Sequence, residues 1–208
     1  RGLGDVYKRQ EGWLECFLEG IRQTSDEAVA TSKKIIKIKV NNLRDFTKNR
    51  HQPIDDRPYG GGIGMVMKIE PIYKAVCHIK KISKTDDKKL RIILFTPRGK
   101  KFTQKMAWNF AKMKQLILIC GRYEGVDERV AKYIVTDCIS VGDYVLMGGE
   151  VPAQIVMEAV ARLIPGVLGK KQLLKERIPY PKRAFIEYPQ YTRPEIFEPK
   201  KGVKWKVP

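Results

Sequence analysis

The stretch "DYVLMGGEVPAQIVMEAVARLIPGVLG", residues 143–169, joins a short apolar run to a helical pattern through two adjacent glycines. Residues 144–147 predict a strand, and Pro152 to Ile164 predict a helix. The apolar stripe of that helix consists of Ile155, Val156, Ala159, Val160, Leu163 and Ile164. A strand that ends on Gly148 and Gly149 before a helix is typical of α/β proteins, where main-chain atoms at such a junction can approach a ligand closely.

The sequence around these glycines does not favour a phosphate. It matches neither G-x-G-x-x-G nor G-x-x-x-x-G-K-[ST], and no Lys, Ser or Thr follows the glycines. The carboxylate of Glu150 would repel a phosphate placed there. A neutral or cationic nucleoside, contacted by backbone amides and carbonyls beside Gly148 and Gly149, fits the junction better.

The rest of the chain predicts an α/β domain with a mostly parallel sheet and flanking helices, because strands alternate with helices. Strands are predicted at "KIIKIKV", "LRIILFT", "QLILIC" and "TDCISV", and helices at "PIYKAVCHIKKI", "TQKMAWNFAKM" and "VDERVAKYI". From Pro165 onward the chain holds seven of its twelve prolines. This tail cannot form one long helix, and we expect an irregular loop that leads into a linker.

Charge and cysteine content indicate the class of partner and the compartment. The 208 residues carry 41 Lys and Arg against 23 Asp and Glu, a formal net charge of +18. That excess favours a nucleic acid partner, and the alternative is a soluble protein with a lysine-rich surface. The four cysteines form no C-x-x-C pair and there are only two histidines, which indicates free thiols and no zinc site. No apolar run approaches the roughly 18 residues of a membrane span, and no secretory signal is visible, so we expect a cytoplasmic protein with no membrane partner.

Two further glycine loops are candidate binding segments. "RPYGGGIGM", residues 57–65, has four glycines among five positions, beside polar groups that could hydrogen-bond to a base or stack on one. A flexible surface loop is the alternative. "CGRYEGVDERV", residues 120–130, follows a buried strand at its carboxyl end, where ligands of α/β sheets collect. Glu124 there could accept hydrogen bonds from a ribose or an amine, or the segment could be an ordinary turn into a helix.

Arg162 lies on the polar side of the last helix together with Gln154 and Glu158. One interpretation is a surface ion pair with Glu158, which would contribute little to stability. The other is a contact to an anion or a base.

Taken together, the motifs resemble those of the bacterial tRNA (guanine-37-N1)-methyltransferases, which belong to the SPOUT class of knotted methyltransferases. The matching segments are "LRDFT", "RHQPIDDRPYGGGIGM", "LILICGRYEGVDERV", "SVGDYVLMGGEVPA", "RLIPGVLG" and "YPQYTRPEIF", in collinear order over roughly residues 13–208. The resemblance implies the SPOUT fold, with a trefoil knot on the C-terminal side formed by segments around residues 94–99, 121–126 and 141–152. It also implies methyl transfer from S-adenosylmethionine to N1 of guanine 37 of tRNA, in a homodimer whose active site lies at the subunit interface.

The resemblance also implies individual roles. The cofactor-binding residues would be Pro97, Gly121, Tyr123, Glu124, Val141, Gly142, Leu146, Gly148, Gly149 and Pro152. His51, Asp55 and Gly64 would surround the target guanine. Arg162 matches the catalytic arginine that stabilises charge on guanine O6. Glu176, within "KERIP", is our choice for the general base, although an ungapped match places Arg177 there. Magnesium stimulates the reaction in the family, and no metal-binding residue is assigned.

The chain departs from the family pattern at both ends. Residues 1–10 do not resemble the family's first strand, and we interpret them as a remnant. Residues 11–168 then form the catalytic domain, and residues 169–208 form the active-site loop and the start of a linker. From the resemblance we expect the family's C-terminal tRNA-binding helical domain to be absent, and therefore weak methylation by this chain. The alternatives are a knotted methyltransferase acting on another RNA and a non-catalytic module that binds RNA or the cofactor.

Overall fold

The computed structural model describes residues 36–47, 53–167 and 189–208. The chain divides into two compact units, Arg1–Lys171 and Gln172–Pro208. In the first unit, the strands are β1 (Asp55–Asp56), β2 (Val66–Met67), β3 (Leu90–Lys101), β4 (Gln115–Ile119) and β5 (Asp137–Ser140). The helices are α1 (Ile69–Ser83), α2 (Gln104–Ala111), α3 (Glu128–Tyr133) and α4 (Glu150–Ala161), with 3-10 turns at Leu43–Phe46 and Asp87–Lys89. Among the residues so described, no helix combines the length and the apolar character needed to cross a bilayer.

The centre of the first unit is a three-stranded parallel sheet in the order β4-β3-β5. Leu90 pairs with Gln115 and Leu94 with Ile119 on one side of β3, and Ile93 pairs with Asp137 on the other. Because parallel neighbours need a crossover, each connection between these strands contains a helix. The prediction of an α/β fold with a parallel sheet and flanking helices is confirmed.

Both faces of the sheet are covered, as parallel sheets require. Alternate residues of β3 point to opposite faces. One face packs against α1 and α3 in a cluster made by Met67, Ile72, Val76, Leu90, Ile92, Leu94, Ile117, Ile119 and Val130. The other face packs against α2 and α4, which contact each other, and it buries Ile93, Ala107, Phe110, Ile139, Val156 and Val160. This second face places the start of α4 beside the carboxyl ends of the strands.

Strand β3 leaves the sheet and returns to it. Ile139 of β5 is the partner of both Phe95 and Lys100, so residues 96–99 form an excursion between two paired limbs. A Cβ atom on Gly99 would lie 2.5 Å from the backbone nitrogen of Ile139 and 2.6 Å from the carbonyl carbon of Cys138. No side chain fits in that space, so the excursion closes only because residue 99 is glycine.

Side chains cap the starts of two helices, α2 and α3. Thr103 accepts a hydrogen bond from the Met106 backbone nitrogen at 3.3 Å, and Asp127 accepts one from Arg129 at 2.9 Å. Pro71 lies in the first turn of α1, where its missing N–H costs nothing. These caps fix the starts of α2 and α3 and satisfy backbone donors that would otherwise be unpaired.

Two predicted strands are wrong in the described residues. Residues 36–40 of "KIIKIKV" and residues 143–147 of "DYVLM" have no strand structure. Alternating or β-branched residues favour extended backbone, but a strand also needs a neighbour with free hydrogen-bonding groups. Residues 143–147 lead from β5 into α4 as bends and irregular backbone, with Val145 and Met147 exposed.

The second unit contains a hairpin of β6 (Ile196–Lys200) and β7 (Val203–Lys206). The rings of Phe197 and Trp205 face each other across it at 5.7 Å. Gly202 takes φ +85° in the turn, and its N–H donates to a Glu198 carboxylate oxygen at 2.8 Å. The expectation of an irregular tail is therefore wrong for residues 196–206.

Candidate functional site

Three glycine-rich segments meet at the carboxyl edge of the sheet. We call them the first loop (residues 57–65), the second loop (residues 120–127) and the third loop (residues 141–149). The first and second loops are joined where Glu124 N–H donates to the Met65 carbonyl at 3.1 Å. Just beyond the first loop, Met67 N–H donates to the Gly125 carbonyl at 2.9 Å, and Asp127 N–H donates to the Met67 carbonyl at 3.0 Å. These main-chain bonds continue β2 alongside the second loop.

Gly64 lies under the Glu124 side chain. Its φ of +90° is a backbone conformation that glycine adopts readily and other residues rarely adopt. A Cβ at this position would also lie 3.0 Å from a carboxylate oxygen of Glu124. Two residues that the family resemblance assigns to different ligands, the target guanine and the cofactor, are therefore in contact.

Gly149 joins the second and third loops. Its N–H donates to the Gly121 carbonyl at 2.9 Å. A Cβ on Gly149 would lie 2.6 Å from the Cα of Cys120 and 2.9 Å from the backbone nitrogen of Gly121. Both neighbours are backbone atoms, so the contact permits no side chain at position 149. The two loops touch along their main chains.

Cys120 is enclosed by this contact. Burial raises the pKa of its thiol from 9.0 to about 12, and the negative charge of Glu150 adds to the rise while Arg122 opposes it. The raised pKa keeps the thiol protonated at neutral pH, which lowers its reactivity as a nucleophile. Three described cysteines, Cys77, Cys120 and Cys138, are free, as the sequence predicts.

Gly148 faces an ion pair. The Arg122 guanidinium donates from Nε to Glu150 at 2.8 Å, and the two side chains are 24% and 36% exposed. A Cβ on Gly148 would lie 2.9 Å from that Nε atom. Glu150 also lies in the first turn of α4, where the helix dipole favours a carboxylate. The acid that disfavours phosphate in the sequence thus has a specific partner, which sequence reasoning missed.

The second loop contains a non-glycine residue with a positive φ. Tyr123 has φ +60°, a left-handed conformation that costs a residue with a Cβ about 1–3 kcal/mol, and its side chain is 44% exposed. The Glu124 side chain is exposed beside it. Main-chain bonds on both sides of the loop hold this conformation.

The third loop begins with a tight polar turn. The Ser140 hydroxyl donates to the Gly142 carbonyl at 2.8 Å. A Cβ on Gly142 would lie 2.7 Å from Cζ of Tyr144, so the tyrosine ring covers this glycine. Val141 is half-buried, and Leu146 is 39% exposed. At the far end of the loop Pro152 is buried in the first turn of α4.

Ion pairs connect the β3 excursion to its surroundings. Pro97 lies exposed in the excursion, and the adjacent Arg98 pairs with Glu128 at the start of α3. That carboxylate raises the pKa of the Arg98 guanidinium. Lys101, at the end of β3, pairs with Asp143 of the third loop. Both pairs are exposed, so they orient the loops more than they stabilise the fold.

Of the catalytic and substrate-binding candidates outside the three loops, the structure describes only Arg162 and Asp55. Arg162 is half-buried at the C-terminal end of α4, and its N–H donates to the Glu158 carbonyl at 3.3 Å. Across the described residues its side chain makes no ion pair, so the surface pair with Glu158 does not form. Asp55 is half-buried in β1, opposite Met67. His51 and Glu176 lie outside the described residues.

Sequence reasoning also missed Gly99, although an isolated glycine within a strand pattern is a signal of close backbone approach. The described part of the chain contains no group of three or more His, Cys, Asp or Glu side chains able to hold a metal ion. The residues brought together are those of the three loops, chiefly Gly64, Gly121, Glu124 and Gly149.

Comparison with known proteins identifies the family of this chain. Residues 13–205 match the family described as tRNA (Guanine-1)-methyltransferase TrmD. A protein of Dictyoglomus turgidum named tRNA (guanine-N(1)-)-methyltransferase is 54% identical over 81% of this chain and 65% of its own length. Proteins of the same name from Caldicellulosiruptor saccharolyticus and Clostridioides difficile are 46% and 45% identical, over 88% and 89% of this chain and 73% and 80% of theirs. The chain therefore belongs to the tRNA (guanine-N1)-methyltransferase family, as the resemblance of its glycine loops predicts.

Proposed function

We propose that this chain transfers a methyl group from S-adenosylmethionine to N1 of guanine 37 of tRNA, next to the anticodon. The observation that carries the proposal is the main-chain contact of the second and third loops, Gly149 against Cys120 and Gly121, in a chain of this family. That contact brings most of the proposed cofactor-binding segments to one edge of the sheet, where α/β proteins bind nucleosides.

The chemistry of the edge suits the cofactor. S-adenosylmethionine carries a sulfonium cation and no phosphate. The third loop offers backbone groups, and the acid Glu150 follows it at the start of α4. Arg122, whose guanidinium lies beside Gly148, is paired with Glu150. The residues proposed to hold the cofactor are Pro97, Gly121, Tyr123, Glu124, Val141, Gly142, Leu146, Gly148, Gly149 and Pro152. When bound, the cofactor supplies a methyl group that is already activated for transfer.

The chain's own residues must move one proton and stabilise one charge. Guanine N1 is a poor nucleophile until it loses its proton, and in this proposal the Glu176 carboxylate removes it. Negative charge then grows on guanine O6, and the Arg162 guanidinium stabilises it. Arg162 suits this role because, within the described residues, no carboxylate neutralises it. His51, Asp55 and Gly64 surround the guanine, and the contact of Gly64 with Glu124 supports placing the guanine beside the cofactor.

Further parts of the proposal concern assembly and topology. A cluster of exposed apolar side chains at the third loop and the start of α4 supports a homodimer with the site at its interface. These are Tyr144, Val145, Leu146, Met147, Val151 and Ile155. The double pairing of Ile139 with the two limbs of β3 supports a trefoil knot made by the segments around residues 94–99, 121–126 and 141–152.

We also propose that residues 11–168 form the catalytic domain and residues 169–208 the active-site loop and linker. A cytoplasmic location follows from the proposed tRNA substrate. Stimulation by Mg²⁺ stays a prediction, and a titration of the methylation rate with Mg²⁺ against Ca²⁺ would test it.

The deciding experiment is transfer of a labelled methyl group to unmodified tRNA transcripts that carry guanine or adenine at position 37. We expect label only on the guanine transcript. Arg162→Ala should lower kcat by about 100-fold or more with little change in cofactor affinity, because the lost interaction acts on charge in the transition state. Arg162→Lys, which keeps the charge without the planar fork, should retain part of the rate.

Isothermal titration with S-adenosylmethionine separates the alternatives. Cofactor binding without label on any tRNA would indicate a non-catalytic module, and label on the adenine transcript would indicate a different target base. Glu176→Gln should also remove most of the rate, and full activity in that variant would place the base elsewhere.

A further inference from the structure

Helix α2 has a basic outer side that the proposed methyl transfer does not use. Residues 100–114, which include α2, contain five lysines and neither Asp nor Glu. Ala107 and Phe110 are the buried residues of the helix, and the ring of Phe110 stacks with Phe102. The residues on the outer side of the helix therefore make no contribution to the buried core.

Three of these residues line up along the helix. Lys105, Trp108 and Lys112 are spaced by three and four positions, which places them on one side of the helix, opposite Ala107 and Phe110. All three are exposed, and Trp108 is 37% accessible to solvent. We call this surface the lysine–tryptophan face. The face therefore offers an accessible indole between two ammonium groups.

The two ammonium groups are not neutralised by the described residues. Neither Lys105 nor Lys112 forms an ion pair there. The neighbouring helix α4 brings two acids, Glu150 and Glu158, and Glu150 is already paired with Arg122. The face thus presents uncompensated positive charge to any partner.

We propose that the lysine–tryptophan face binds RNA outside the methyl-transfer cleft, with Lys105 and Lys112 on phosphates and Trp108 stacked on an unpaired base. Lysines contact phosphates as point charges, and an aromatic side chain between them is the usual platform for a base. Local charge argues against pairing of this face with the same face of a second copy, because the unpaired Lys105 and Lys112 of each copy would then oppose each other. The inference rests on the proposed function in that tRNA is the RNA tested.

The test compares two charge-reversed variants of the full chain. Lys105→Glu with Lys112→Glu reverses the face, and Lys81→Glu with Lys88→Glu is the control. The control lysines are also exposed, lie in α1 and in the 3-10 turn before β3, and form no ion pair among the described residues. Both variants change the net charge by the same amount. Binding of a tRNA transcript is measured by filter retention between about 50 and 200 mM salt.

We expect the face variant to bind tRNA about tenfold or more weaker than the control variant. The slope of log K against log salt should fall in magnitude by about 1.5, as two lost phosphate contacts require. Trp108→Leu should weaken binding by about tenfold, whereas Trp108→Phe, which keeps an aromatic face, should recover most of it. Affinity for S-adenosylmethionine should not change in any of these variants.

Equal losses in the face and control variants would overturn the inference, because affinity would then follow net charge alone. A change in oligomeric state without a change in tRNA binding would also overturn it and assign the face to a second copy. Selective loss of tRNA binding in a chain that transfers no methyl group would instead contradict the proposed function and leave this face as an RNA contact.

Discussion

The first and third loops both contain adjacent glycines, yet the glycines meet different physical demands. In the first loop, Gly61 has φ +80° and Gly62 has φ +128°, and a Cβ on Gly61 would meet nothing within 4 Å. In the third loop, Gly149 has an ordinary φ of −82° and presses against the backbone of Cys120. Glycine is thus used for its dihedral freedom in one loop and for its small size in the other.

The largest effect should come from Gly149→Ala, because the added methyl group meets backbone atoms that cannot rotate away. We expect a loss of ~3 kcal/mol in the free energy of unfolding, at the upper end for overpacking. For a chain of this size that lowers Tm by about 6–12 °C. Urea and thermal melts measure it, and an unchanged Tm would show that the second and third loops do not touch.

The same contact makes a prediction about pH. Because the folded pKa of Cys120 is raised to about 12, the folded protein keeps a proton that the unfolded chain loses above about pH 9. The contribution of this thiol to stability is therefore complete below pH 9 and is lost as pH rises toward 12, by at most ~1.4 kcal/mol per pH unit. Urea melts from pH 8 to 11 should show a steeper decline for the natural chain than for Cys120→Ala. Parallel declines would mean that the thiol is accessible to water.

Gly148→Ala tests the position next to Gly149, where the surrounding atoms belong to side chains and not to the backbone. The new methyl group meets only the ends of the Arg122 and Glu150 side chains, which can move. We expect a loss of ~1 kcal/mol, and Gly148→Ala combined with Glu150→Ala should cost less than the sum of the two single changes. Strict additivity in this double-mutant cycle would contradict a direct contact between Gly148 and the ion pair.

The smallest effects should come from the first loop. Gly61→Ala places a Cβ on a residue at φ +80°, and we expect a cost of ~1 kcal/mol from backbone strain alone. Gly60→Ala, at a position with open space and no positive φ, should be neutral or stabilising by ~0.5 kcal/mol. Equal effects at the two positions would show that the loop adapts its backbone to the residue.

Much of the α/β core could be predicted because its signals are local. The runs "LRIILFT" and "QLILIC" become β3 and β4, and Thr103 and Asp127 cap the helices that their positions suggest. The meeting of the second and third loops at one edge of the sheet also follows from parallel topology, because they come after β4 and β5. The residue roles came from the family motifs, because spacing alone could not choose between a binding loop and a turn.

What could not be predicted depends on partners that are distant in sequence. Residues 143–147 have strand composition, but no neighbouring strand pairs with them among the described residues. The Arg122–Glu150 pair links residues 28 positions apart, and opposite charges at that separation occur throughout a chain with 64 ionisable Lys, Arg, Asp and Glu residues. Gly99 carried a local signal, an isolated glycine in a strand, but its target, the backbone of Ile139, is 40 positions away.

The excursion of β3 constrains how this protein can change over evolutionary time. Phe95 and Lys100 both pair with Ile139. The number of residues between them, four, is therefore fixed by the strand register. Adding or deleting one of them would exchange the faces to which Lys100 and Lys101 point, because side chains alternate along a strand. By this criterion the length of the excursion is more constrained than its composition, since a single-residue insertion or deletion would detach Lys101 from Asp143 and misdirect the third loop.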